Sequence, residues 1–492
     1  MSRGSKHVVV VGGGTSGSVL AARLSSDPDR SVTLLEAGAD HDAYDDAIRQ
    51  PALAAASWAG IAPMVSTPMA FGDRPIPGLQ ARILGGTSAL NGMATLRGLP
   101  PDYDSWAAAG LDGWGWHDVL DTFIAAEHDR DLGGSPIHGS SGPLPVRRWT
   151  RDELGHAPRS FHDAMVEHGE AVVHDVNDPS QLPGIGVFPV TIDDAGARVT
   201  TSLAYLTSEV RARPNLAVRT NVEVERVVID VGRARSVVLT GGEEIVADEV
   251  VVSAGAIWSP VLLMRSGVGP AEHLSEHGIA AVADLPVGST MSDHLGPGLP
   301  YTHAGDRGSQ AGPAQVVLVG ASNGTDVDYH AFPVCPPDTG DHTTVLMAVF
   351  LLRSSGQGSV RLGADRSQPI VTAPPLPVDG VDRLRHGFDR VAAWERSAAF
   401  RAIGAQPAMP LDLTAPEAVE QALDRLTVSY GHMVGTCPMG AVLDADCRVR
   451  GVEGLRVVDA SVMPTIPSGN TYLGCVMVAE RVAAKMVAEP AR

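Results

Sequence analysis

Only four cysteines occur in 492 residues, Cys335, Cys437, Cys447 and Cys475, and none forms a CxxC pair. So few, so widely spaced, exclude a disulfide framework and read as reduced thiols. Aromatic residues make up only 4% of the chain. Basic residues are also in deficit: Lys and Arg number 37 against 57 Asp and Glu, for a net charge of -20. That balance excludes a non-specific nucleic-acid or anionic-membrane partner. It confers solubility, and it would attract a cationic small molecule. No apolar run reaches the roughly 18 residues of a membrane span. The opening MSRGSKHVVVVGGG enters an apparent strand at once, with no room for the apolar core of a signal peptide. A cytoplasmic enzyme is therefore expected. Internal repeats are missing, as is a GxSxG nucleophile elbow. Asn323-Gly324-Thr325 matches a glycosylation acceptor, which without a leader is read as chance.

Glycine, at 54, and proline, at 36, are plentiful, so the chain is rich in turns and close backbone approaches. The length calls for two or three domains, or one large domain with an inserted second one. One short stretch, SYGHMVGTCPMG at 429–440, sets His432, Cys437 and Met439 close together. Those are the soft ligands of a copper site. No second nitrogen ligand accompanies them, so no metal is expected.

The stretch HVVVVGGGTSGSVLAARLSSDPDRSVTLLEAGA carries the first site. His7 to Val11 is a β-branched apolar run, as in a buried parallel strand. Gly12-x-Gly14-x-x-Gly17 follows, then a helix, then a second strand over 31–35 that ends on Glu36. Gly12 permits a tight turn, Gly14 lets the backbone approach a pyrophosphate, and Gly17 lets helix and strand pack closely. The helix start, with Thr15 and Ser16, presents free N–H groups and a positive dipole end to phosphate. Glu36 can accept from a ribose diol, which disfavours NADP and leaves NAD and FAD both open.

Three further stretches bear on the cofactor: RILGGTSALNGMATLRG at 82–98, VVVSAGAIWSPVLLMRSGVGP at 250–270 and LRVVDASVMPTIPSGNTYLGCVMVAERVAA at 455–484. All three resemble signatures of the glucose-methanol-choline (GMC) oxidoreductases, which carry FAD. The linking segments DYDSWAAAGLDGWGWHDVLDTF, HGSSGPLPV and RPNLAVRTNVEVERV agree, so the resemblance spans essentially the whole chain. The residues fit it on their own terms. Gly85-Gly86 and Asn91-Gly92 are places where a bulky side chain would obstruct a flat ring, and Asp459 ends a strand where ligands bind in open α/β sheets.

The resemblance implies an α/β fold, α+β overall. A Rossmann-like FAD-binding domain, 1–145, 200–292 and 438–492, is interleaved with a substrate domain, 146–199 and 293–437. The second domain is expected to hold an antiparallel sheet with helices on one face. Strands are expected at 315–319, 327–332, 345–352 and 358–362, and helices over 259–266, 381–399 and 474–487. Besides Gly12, Gly14, Thr15, Ser16, Gly17 and Glu36, the FAD contacts implied are Ala37, Arg82, Gly85, Gly86, Asn91, Gly92, Met93, Ala94, Val222, Ala254, Asp459, Ala460, Asn470 and Thr471. Some members attach FAD through a His; the corresponding position here is Leu90, so non-covalent FAD is expected.

By the same resemblance His432 is the catalytic base and Asn470 its partner. Neutral His432 would take the proton of a substrate alcohol while Asn470 donates to the developing alkoxide. Oxygen or another electron acceptor would then reoxidise the flavin. Tyr430 and Gly431 precede the base, and Met433 stands where a Pro often follows it. The segment DLPVGSTMSDH at 284–294 departs from the family's usual form and resembles short mycofactocin-associated members; the PSGNTYLGCVM end does not. Asp293-His294 reads as a structural pair at the domain boundary, Trp114 and Trp116 as core, and His138 as a surface-loop residue. Competing readings are a cyanohydrin-type lyase with idle FAD, a dehydrogenase passing electrons to a non-oxygen acceptor, and a nicotinamide enzyme, which leaves three of the four stretches unexplained. Neither the alcohol nor the oligomeric state is legible.

Overall fold

The computed structural model describes residues 6–44, 46–50, 64–303, 308, 312–335, 343–354, 356–415 and 417–489. The five residues ahead of Lys6, on which the reading of a missing leader partly rests, lie outside them. The molecule is mixed α/β, as expected. A five-stranded parallel sheet runs in the order 216–219, 30–35, 6–11, 249–252, 455–457. Its central strand, Lys6–Val11, is the Val-rich run; Val8, Val9 and Val10 are wholly buried. β-branched side chains fit this doubly covered position. Helices Thr15–Leu24 and Thr471–Ala488 pack together on the sheet, tied by Ser16 Oγ donating to Cys475 O at 3.1 Å.

The order places every nucleotide candidate at one edge. Gly12, Glu36, Ser253 and Val458 each follow the C-terminal end of a parallel strand, where the chain direction switches between the strand's two neighbours. This crevice is where open α/β sheets bind ligands.

An eight-stranded, mostly antiparallel sheet runs 405–407, 295–303, 343–351, 329–334, 316–320, 184–187, 172–173, with 427–429 paired to the start of 295–303. Helices His156–His168 and Gly380–Arg396 cover one face: Trp394 Nε1 donates to Ser160 Oγ at 2.9 Å, and Phe161 meets Trp394 edge-on. Strand Tyr329–Val334 starts two residues later than the sequence suggests, because Asp328 is held in a turn by Ser322.

Three differences have physical reasons. Helix Gly255–Arg265 begins four residues before the expected start, with Pro260 inside it. Proline lacks the N–H that would bond Ala256 O four residues back. Thr436 Oγ1 donates to that carbonyl instead, at 2.7 Å. The C-terminal helix starts at Thr471 and contains Gly474, where a Cβ would come within 3.0 Å of Met463 Cε. The hairpin Met64–Phe71 with Arg74–Ala81 was hidden by Pro68, Pro75 and Pro77, residues that demote a strand reading. Segments Ser359–Leu362 and Pro369–Thr372 join that hairpin in a four-stranded sheet.

Candidate active site

Strand Leu295–His303 begins one residue after His294, and it pairs with Thr427–Ser429, which runs straight into Tyr430-Gly431-His432. The loop before the C-terminal helix brings Asn470 to the same place. His432 Nε2 and Asn470 Nδ2 are 3.0 Å apart. The pair expected from the sequence, 38 positions apart in the chain, is therefore in hydrogen-bond contact. Both residues are buried.

The neighbours of His432 fix its proton. His294 Nε2 lies 2.9 Å from Leu352 O, a group that can only accept, so Nε2 carries the hydrogen. Burial pulls the His294 pKa down to about 3, so its other nitrogen, Nδ1, is bare. That nitrogen is 2.9 Å from His432 Nδ1, which must therefore be the donor. His432 is left with a lone pair on Nε2, facing the Asn470 amide. The chain of bonds runs one way: Asn470 to His432, His432 to His294, His294 to Leu352 O. The pKa of His432 is itself depressed well below its ordinary value by burial, and further by His294 and His330.

Asp293 holds the backbone of this loop. Its Oδ1 accepts from His432 N at 3.0 Å, and its Oδ2 accepts from Ser429 Oγ. Burial lifts its carboxyl to about 7, against the pull of those bonds. Gly431, at φ 83°, makes the turn between Tyr430 and His432, a conformation that favours glycine. The Asp293-His294 pair, read from sequence as structural, thus touches the base directly. Its signal was two titratable residues side by side, matched by the serine and histidine of SYGH.

Replacing His294 by Leu should leave His432 Nδ1–H without an acceptor in a dry site. Such a loss costs about 1–3 kcal/mol, or roughly five- to 150-fold in flavin reduction. His294→Gln keeps one donor and one acceptor and should recover part of the rate. Nitrogen-15 NMR of His432 should show the Nδ1–H form in the parent and a mixture in His294→Leu. An unchanged tautomer with an unchanged rate would end the positioning role.

The nucleotide candidates form a cradle. Gly12 has φ 101°, and a Cβ there would lie 2.4 Å from Ser253 O. A Cβ at Gly17 would lie 1.8 Å from Gly12 O, which is the close helix packing expected of that position. Gly86 meets Gly14 back to back, a Cβ on Gly86 falling 2.7 Å from Gly14 Cα. Helix Thr15–Leu24 has no side-chain cap, so its first N–H groups are open to phosphate. Glu36 accepts from Gly13 N and Gly38 N, both at 2.7 Å, and each oxygen keeps a lone pair for a ribose hydroxyl. Ala37 O accepts from Arg82, which also pairs with exposed Glu223, and Val222 N donates to Glu36 O at 2.9 Å. Asn91 Oδ1 accepts from Met93 N and Arg198, and Gly92 faces open space. Ala94 bridges to Val190. Asp459 accepts from Gly255 N and Ser259 Oγ, tying the Ala254 turn to the Ala460 turn. Thr471 opens the C-terminal helix beside Asn470, whose Oδ1 is buried with no hydrogen-bond partner among the described residues. An uncapped helix start, a glycine-only gap and an orphaned buried oxygen fit a bound dinucleotide.

His138 is not in a surface loop. It is buried among Glu127, Asp129 and Asp175, with Arg97 and Arg148 ion-paired into the same cluster. Burial opposes its charge, but the three carboxylates outweigh it and raise its pKa to about 10. The network anchors Arg97, next to Gly98, which packs under Gly469 and so under Asn470. Among the described residues, no cluster with metal-ligating geometry includes His432. Cys437 N donates to Ser461 O at 2.8 Å, and the Cys437 and Met439 side chains are buried as packing.

Known proteins resemble this chain along nearly its whole length. Two family models described as GMC oxidoreductase match residues 7–296 and 354–479. A 5-(hydroxymethyl)furfural oxidase of Methylovorus sp. is 34% identical over 96% of this chain and 97% of its own. An oxygen-dependent choline dehydrogenase of Ectopseudomonas mendocina is 32% identical over 96% of this chain and 93% of its own. The crystal structure of pyridoxine 4-oxidase from Mesorbium loti superposes with a TM-score of 0.89 at 29% identity, covering 99% of this chain and 100% of that one.

Proposed function

The chain belongs to the GMC oxidoreductase family and is an FAD-dependent enzyme acting on alcohols, and from that premise we propose that His432 is its general base and Asn470 its alkoxide-binding donor. The observation that carries this reading is the one-way hydrogen-bond chain that leaves a lone pair on His432 Nε2 beside an amide donor. In the free site Asn470 Nδ2–H occupies that lone pair. An entering alcohol displaces it: its O–H turns to Nε2, and the amide N–H turns to its oxygen. Bound FAD supplies the hydride acceptor. His432 then takes the hydroxyl proton, giving an aldehyde or ketone. Neutral His294 Nδ1 stays hydrogen-bonded to the imidazolium that results.

Leu90, where some relatives carry an attaching His, is 5% exposed, and a Leu side chain has no nucleophile to offer; FAD is bound non-covalently. The divisions 1–145, 200–292 and 438–492 for the FAD domain, and 146–199 and 293–437 for the substrate domain, are part of the same proposal. So is a reducing, cytoplasmic setting, supported by four free thiols. No helix among the described residues is long and apolar enough to cross a membrane. Of the substrates named by the relatives, 5-(hydroxymethyl)furfural and pyridoxine are ring alcohols and choline is a quaternary ammonium.

Anaerobic mixing of the yellow holoenzyme with alcohols tests the reading. Bleaching of the flavin is expected; a lyase with idle FAD would stay yellow. The rate should also hold steady as pH falls from 7.5 to 6. An ordinary His, with a pKa of about 6.5, would be half protonated midway, whereas a depressed one stays neutral and competent. A loss centred near pH 6.5 that persists in Asp293→Asn, which removes the carboxyl raised to about 7, would refute the neutral, buried base.

A further inference from the structure

Next to His432 lies an aromatic sheet face with one polar residue whose buried nitrogen has no partner among the described residues. Side chains alternate along strand Tyr329–Val334. Tyr329 faces helix Gly380–Arg396, since a Cβ on Gly387 would come 3.5 Å from its ring. His330 and Phe332 therefore face the other way, where their rings lie 6.3 Å and 5.3 Å from that of Tyr430. Phe350, the cross-strand partner of His330, stacks on Tyr430 at 4.3 Å and 14°. The other face of Tyr430 lies on His432, at 4.0 Å between ring centres.

His330 is 1% exposed, and its Nδ1 is buried with no hydrogen-bond partner among the described residues. Burial keeps the ring neutral. A buried imidazole nitrogen without a partner is costly unless something else supplies one. It stands at the end of a cluster whose far side is the base.

The same geometry argues against a cation. A quaternary ammonium is held by open aromatic faces or by carboxylates. Both faces of Tyr430 are taken, by Phe350 and His432. Strands Tyr329–Val334 and Thr343–Leu351 hold no acidic residue. Asp293, next to the cluster, has each oxygen engaged, by His432 N and by Ser429. What the cluster offers is ring edges, which suit another aromatic ring, and one unpartnered polar edge.

Building on the reading of the site given above, we propose that the substrate is an uncharged aromatic or heteroaromatic alcohol with its carbinol carbon on the ring, and that His330 selects it by hydrogen-bonding a second polar group of that ring. Neutral His330 has one donor and one acceptor nitrogen, so a ring nitrogen or a ring hydroxyl would satisfy it. His330 is in this sense a specificity residue; the proton and hydride are handled elsewhere.

The test uses the FAD-loaded enzyme in anaerobic flavin reduction with benzyl alcohol, 3-hydroxybenzyl alcohol, 3-(hydroxymethyl)pyridine and choline. At least one polar ring alcohol should exceed benzyl alcohol about tenfold in limiting rate over dissociation constant, as one hydrogen bond in a dry site allows. Choline should come last. In His330→Phe the preference for the polar alcohol should fall to about unity, mostly through the dissociation constant, with FAD content kept. An intact preference in that variant, no preference in the parent, or choline in the lead would overturn the proposal. Calorimetry on the oxidised parent enzyme is a second test that needs neither the variant nor turnover. Nicotinamide or 3-hydroxybenzamide should bind about tenfold tighter than benzamide, and equal binding of all three would overturn the proposal. If no alcohol bleaches the flavin, the redox reading of the site falls, and the amides still decide the role of His330.

Discussion

His432→Ala should retain FAD and lose about two to four orders of magnitude in the rate of flavin reduction by an alcohol, the usual contribution of a general base. Both halves of that result follow from position. His432 sits at the sheet end built from 294 and 430, whereas the cradle for the nucleotide is made by Gly12–Gly17, Glu36 and Gly85-Gly86 at the edge of the parallel sheet. Loss of the imidazole removes the lone pair that lies 3.0 Å from the Asn470 amide nitrogen. It also leaves the bare Nδ1 of His294 without its donor. Stability should fall modestly, by the order of one buried hydrogen bond, about 1 kcal/mol. Anaerobic stopped-flow spectroscopy with bound FAD measured on the same sample checks the prediction. Normal reduction in the alanine variant would remove His432 from the mechanism.

The parts of this protein that read from sequence are those where one local constraint dictates one residue. Gly12 and Gly17 are such places: each is held against backbone atoms that a Cβ would strike. The Val-rich strand that precedes them is another, since a parallel strand covered on both faces needs an unbroken apolar run. His432 and Asn470 read through motifs whose surroundings repeat in order along the chain. What did not read was whatever depends on pairing between distant segments. The tautomer of His432 is set by Leu352 O through His294, three segments with no sequence pattern in common. His138 looked like a loop residue because its neighbours are Gly and Ser. It is buried because Arg97, Arg148 and three carboxylates converge on it from other elements. No sequence pattern links Thr436 to Pro260, yet its hydroxyl satisfies the carbonyl that the proline leaves without a donor. His330 carried no motif at all; only strand alternation and the ring of Tyr430 show where it faces.

Asn470→Ala should cost about two to three orders of magnitude in flavin reduction, the usual consequence of removing one donor to a developing oxyanion. The fold should hardly notice. Asn470 stands at the N-cap of helix Thr471–Ala488, where an Asn ordinarily caps by accepting from the second or third N–H. Here it does not: its amide is turned to His432 instead, so no cap is lost on truncation. The uncapped helix start also leaves its positive end free to face negative charge that develops in the site. Two further substitutions separate donation from mere size. Asn470→His retains an N–H donor and should recover much of the alanine loss. Asn470→Asp retains the size but sets a carboxylate against His432 Nε2. An opposite charge at that distance favours the protonated imidazole, so its pKa rises. The lone pair is then occupied at low pH, and an acid limb should emerge in the pH profile of flavin reduction at a higher pH than any in the parent enzyme. If Asn470→Asp instead gives a flat profile with the parent's rate, Asn470 is neither a donor to the substrate nor a neighbour that tunes the base.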